Sequence, residues 1–118
     1  MKIEIKSFDD NERAFACAVV KTMKDRSGEF ISILDWDELT KLIEIVGELA
    51  RTNSRHPSKL ILAIMLNEPI SNLEMKYILF LAKKIVQVET ELTSGDYYTK
   101  CGLSLVRKIE LLTNANPN

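Results

Sequence analysis

The sequence predicts a mainly α fold: a compact bundle of four to five helices around a central buried helix at about 71–92, with a minor N-terminal strand or strand pair. Three observations predict it. Residues 71–92, SNLEMKYILFLAKKIVQVETEL, place Leu73, Tyr77, Phe80, Leu81, Ile85, Val88 and Leu92 three or four apart. Ile78, Leu79, Ala82 and Val86 widen that stripe until the helix needs cover on two sides, either from the rest of the chain or from a second subunit. Capping pairs recur at Asp9/Glu12, Asp35/Glu38 and Ser71/Glu74, each a helix start where a side-chain oxygen takes an orphan N–H and the glutamate reaches back. Strand-like alternation is clearest in the stretch Lys2–Phe8, with Ile3 and Ile5 on one face.

A chain of 118 residues is one domain, 1–113, with 114–118 as a frayed tail. Its 46% hydrophobic and 28% charged residues are those of a globular protein rather than a disordered one. A net charge of −1 argues against non-specific wrapping of nucleic acid and against electrostatic attachment to membranes. Cys17 and Cys101 stand too far apart in sequence for a disulfide framework or a metal knuckle, which points to a reducing, cytoplasmic setting. The apolar runs Leu60–Leu66 and Tyr77–Ala82 fall well short of the roughly 18 to 20 residues that span a bilayer.

Asp9/Glu12 opens a first helix that carries Phe15, Ala18, Val19, Thr22 and Met23 and closes near Arg26–Gly28. Phe30–Leu34, FISIL, is the best candidate for a second strand, because Ile3 and Ile5 need a partner. The two would run parallel within the chain or pair across a dimer axis. Asp35/Glu38 starts a second helix with the stripe Leu39, Leu42, Ile43, Val46, Leu49 and Ala50, opposite Asp37, Lys41, Glu44, Glu48 and Arg51. Residues 51–59 form a loop, and Pro57 begins a third helix that buries Leu60, Ile61, Ile64 and Met65. After the central helix, Thr93–Asp96 turns into a last helix from Tyr97 to about Leu112, with Tyr98, Cys101, Leu105, Ile109 and Leu112 on one face. Gly102 on its edge costs about 1 kcal/mol of helix propensity, so it marks close approach of a neighbouring helix.

No catalytic constellation, cofactor motif or metal-ligand spacing is present in the sequence. His56 is the sole histidine, and its neighbours are basic rather than the carboxylate and nucleophile of acid–base chemistry. The strongest local signal is an anion-binding candidate made of Arg51, Arg55, His56, Ser58 and Lys59. Thr52 and Ser54 can add hydroxyls, and a helix N-terminus follows. A solvated, salt-screened loop is the simpler account. Cys17 shares a helix side with Arg13, Lys21 and Lys24, which would make the thiol more acidic, although an idle thiol is simpler here too. Trp36 at a helix start either anchors an interface or, more commonly, packs back over the helix end. The segments around NEPIS have the outline of a helix-turn-helix, but the second helix is too apolar to read base edges.

The expected function is therefore that of a non-enzymatic interaction protein which binds another macromolecule, most simply a protein, and which pairs as a homodimer to cover its apolar excess. Trp36 and Asp37, or Lys83 and Lys84 on the wet side of the central helix, are the candidate partner contacts. The alternative is a phosphate-bearing ligand, nucleotide or nucleic acid at the 51–59 loop.

Overall fold

The computed structural model describes residues 2–3, 8–52, 55–92 and 97–115, with side chains for 8–52, 55–89 and 100–112. In chain order the elements are β1 (Lys2–Ile3), α1 (Asp10–Asp25), α2 (Ser27–Ser32), α3 (Trp36–Arg51), α4 (Pro57–Met65), β2 (Ile70–Ser71), α5 (Asn72–Leu92) and α6 (Tyr97–Ala115). The molecule is a mainly α bundle with a minor strand pair. Residues 4–7, Ser54, the Thr93–Asp96 turn, the Tyr98 side chain and residues 116–118 lie outside the described set.

Each expected capping box forms. The Asp9 carboxylate accepts from the Glu12 N–H and Glu12 from the Asp9 N–H, both at 2.8 Å. Asp35 and Glu38 repeat the exchange at 2.8 and 2.9 Å, and Ser71 and Glu74 do so at 3.0 and 2.9 Å. Helix α4 starts with Pro57 in its first turn. It closes through Asn67, whose φ of 58° is left-handed. The Asn67 N–H donates to Ile64 O at 3.3 Å and the Glu68 N–H to Ala63 O at 2.9 Å, the paired bonds of a Schellman ending. Asparagine is one of the few residues with a side chain that tolerate this conformation, and its Oδ1 accepts from Arg13 at 3.0 Å.

Two expectations are corrected. Phe30–Leu34 is not a strand, because Ser27–Ser32 is the short helix α2, and of its apolar residues only Phe30 is buried. Ile31 and Ile33 stay exposed. The partner of β1 is instead β2, antiparallel, with Lys2 opposite Ser71 and Ile3 opposite Ile70. That pairing lies within one chain, neither parallel nor across a dimer axis. The second correction is at the C-terminus, where α6 continues to Ala115, so Asn114 and Ala115 are helical rather than part of a tail.

The core is shared between two helices. Helix α5 packs on α6, α1 and α3, while α1 packs on α4, α5 and α6. Met75, Ile78 and Leu81 of α5 meet Phe15, Val19 and Val20 of α1, Leu105 and Ile109 of α6, and Leu60 and Ile64 of α4 in one buried cluster. The wide apolar stripe of α5 is thus buried or half-buried within the chain as far as Val88. Gly102 shows how closely α6 approaches: a Cβ there would stand 2.5 Å from Val86 Cγ2 and 2.6 Å from Phe15 Cζ. A polar group is built into the same junction. Glu12, only 1% exposed, accepts from Lys108 Nζ at 2.7 Å and from Ser104 Oγ, which ties α1 to α6. Burial works to raise its carboxyl pKa, but the bonds from Lys108, Ser104 and the Asp9 N–H, together with the Lys108 charge, outweigh burial and hold it below the ordinary value.

Candidate interaction surface

Helix α3 packs chiefly on α5, and a helix with one helical neighbour can cover only one sector of its circumference. At 100° per residue, Leu42, Ile45 and Leu49 fall in that sector. Leu42 is buried, and the other two are half-buried against the core. The remainder of the expected stripe does not follow them inside. Ile43 is 63% exposed and Val46 43%, and Ala50 is exposed as well. Together with Trp36, Leu39, Thr40 and Gly47 they form an uncharged arc on the outer side of the helix. Beside it runs the charged row Asp37, Lys41, Glu44, Glu48 and Arg51, none of which forms an ion pair among the described residues.

Trp36 is 78% exposed. It does not pack back over the helix start, because at 100° per residue it stands on the side of α3 opposite Leu42, Ile45 and Leu49. Of the other partner-contact candidates, Asp37 stays exposed, while the two lysines are engaged within the chain. Lys84 Nζ donates to Glu38 Oε1 at 3.0 Å and fastens α3 to α5. Lys83 lies 3.5 Å from Glu110 on α6.

The basic loop is likewise drawn into the fold. Arg55 donates through Nε and Nη2 to both oxygens of Glu74, at 3.1 and 2.9 Å, and through Nη2 to Pro69 O at 3.0 Å. Its Nη1 lies 3.6 Å from Glu68. Sequence spacing showed no acidic residue near this loop, yet folding brings two carboxylates from beyond α4. Hydrogen bonding to Glu74 raises the Arg55 pKa further, against the effect of burial, with added help from the Glu74 and Glu68 charges. For Glu74, burial acts to raise the carboxyl, but bonds from Arg55 and the Ser71 N–H outweigh it and hold the group below the ordinary value. His56 caps α4 by accepting from the Ser58 N–H through Nδ1 at 3.2 Å, which occupies a donor that an anion would need. Arg51, Ser58 and Lys59 remain exposed, but the forked donor of the cluster faces inward. The Arg55–Glu74 pair instead lines a groove of about 230 Å³ whose walls are Val46, Leu49, Leu60 and Tyr77, adjoining the outer face of α3.

Cys17 is half-buried, with Sγ 3.7 Å from Ile61 O. Burial pushes its thiol up, and the Arg13 charge opposes this without reversing it. The lesser alternative of a more acidic thiol is not met, since burial outweighs the Arg13 charge, whose guanidinium bonds Asp10, Phe8 O and Asn67. Among the described residues, no cluster of three or more His, Cys, Asp or Glu side chains could hold a metal ion, and no helix is long and apolar enough to cross a membrane. No protein-family model matches the chain, and no curated protein or solved structure matches it significantly.

The residues that sequence reasoning missed are Ile43, Val46 and Gly47. Their signal was present as the width of the uncharged arc, which exceeds what one neighbouring helix can cover.

Proposed function

We propose that this chain is a binding protein that acts by docking another protein against the outer face of α3, without catalysis of its own. The observation that supports this reading is the exposure of Trp36, Ile43 and Val46 on one side of a regular, capped helix. Large aromatic and aliphatic side chains in that setting are what interfaces use as anchors. The groove beneath Val46 and Leu49 gives a partner side chain a place to enter. A photo-crosslinking residue placed at Ile43 tests the proposal against the same residue at Lys21, an exposed position on α1. Adducts to a protein from position 43 and not from position 21 are expected. Equal labelling at both positions, or none at 43, would reject the reading. A second copy of the chain is the first partner to look for.

A further inference from the structure

We infer that the occupant of the α3 face is a second copy of this chain, docked antiparallel so that two α3 helices pack across a two-fold axis beside Glu44. This rests on the binding role proposed above and names its partner.

The first support is Gly47. A glycine in a helix interior costs about 1 kcal/mol relative to alanine, and the bundle holds two such glycines in contrasting settings. At Gly102 the space is filled by Val86 and Phe15, whereas a Cβ at Gly47 would meet only the tip of Arg51 at 3.7 Å. Among the described residues, nothing requires the missing side chain. A helix arriving from outside does, since backbones approach most closely where side chains are small.

Size and charge both set the direction. The first half of the uncharged arc is the bulkier, with Trp36, Leu39 and Ile43 beside Thr40, and the second half is the smaller, with Gly47 and Ala50 beside Val46. Antiparallel packing lays the bulky half of each helix over the small half of the other. A two-fold axis perpendicular to the helices also keeps the charged rows on the same side of the seam, where they meet. A parallel pair would set them on opposite sides. Asp37 and Arg51 stand seven residues either side of Glu44, so each Asp37 comes level with Arg51 of the second copy. That pair occurs twice by symmetry, against one like-charge meeting of Glu44 with its copy. The helix is 16 residues long, giving a seam of about 24 Å. One such seam buries less than the roughly 800 Å² a side of a standard interface, so the dimer is weak and reversible.

Sedimentation equilibrium of the full chain over a wide concentration range tests this. The mass should rise from 13.5 kDa towards twice that value. Asp37→Arg and Arg51→Asp should each weaken association roughly tenfold, because two symmetry-related pairs turn from attraction to repulsion. The double variant Asp37→Arg/Arg51→Asp should recover it, which a parallel pair would not do. Gly47→Ala should raise the melting temperature of the dilute protein and weaken association at the same time. A chain that stays monomeric throughout, a double variant no better than the singles, or a Gly47→Ala chain that associates undiminished would each overturn the inference. If the chain is monomeric while position 43 crosslinks to a different protein, the second copy falls and the binding role stands. If position 43 captures nothing, both fall.

Discussion

Arg55 and Glu12 each show a charge whose meaning changes once the chain folds. Arg55 is half of a clamp that joins the loop before α4 to the cap of α5. Arg55→Ala should therefore cost about 2 kcal/mol of stability in urea denaturation, below the roughly 3–5 kcal/mol of a fully buried broken pair because the guanidinium is partly exposed. A ligand-binding arginine on a solvated loop would cost almost nothing. Glu12 and Glu74 both have folded-state pKa values held below the ordinary carboxylate value. Below that value the unfolded chain binds more protons than the folded one. The stability they contribute is thus complete above the unfolded pKa and is lost as pH falls through the folded values. Denaturation midpoints should stay level from neutral pH and then fall below about pH 5, with a shallower fall in Glu12→Gln. Equal acid sensitivity in that variant would remove Glu12 from the account.

At the scale of elements, helix starts were legible because capping is local: Asp9, Asp35 and Ser71 each act on a residue three positions away, within one turn. Asp35→Ala should cost about 1 kcal/mol, read from the thermal midpoint. The FISIL segment was misread because strand pairing is not local. Nothing near Phe30 records that Ile3 would find its partner at Ile70. The Asn67 ending of α4 was also missed, its glycine-like role being carried by a residue that sequence patterns assign to loops. Gly102 was legible as a close-approach site, and Gly102→Ala should destabilise the fold by about 1–2 kcal/mol, the overpacking cost exceeding the gain in helix propensity. The same substitution at Gly47 should act with the opposite sign on the dilute protein.

On the scale of the whole molecule, sequence reasoning identified the width of the α5 stripe and left open whether the chain itself or a second subunit covers it. The stripe of α5 is wide, yet α1, α3 and α6 cover it. The narrower stripe of α3 is left half outside because that helix lies at the edge of the bundle. Which helix ends at the edge depends on the packing of all the others, and no window of sequence contains that. An edge helix held by one neighbour and by the Glu38–Lys84 pair should exchange its amide hydrogens faster than α5 does, and Lys84→Ala should widen the difference. Protection in α3 equal to that in α5 would show the helix to be better anchored than its packing indicates.

The placement of Trp36 also decides what can be seen of this protein by light. As the sole tryptophan, already bathed in water on the native surface, it changes surroundings little when the chain unfolds. Its emission should stay nearly flat through a thermal transition that far-ultraviolet circular dichroism records in full. The fluorophore is silent about folding and responsive to company, a built-in optical tag for whatever comes to rest on α3.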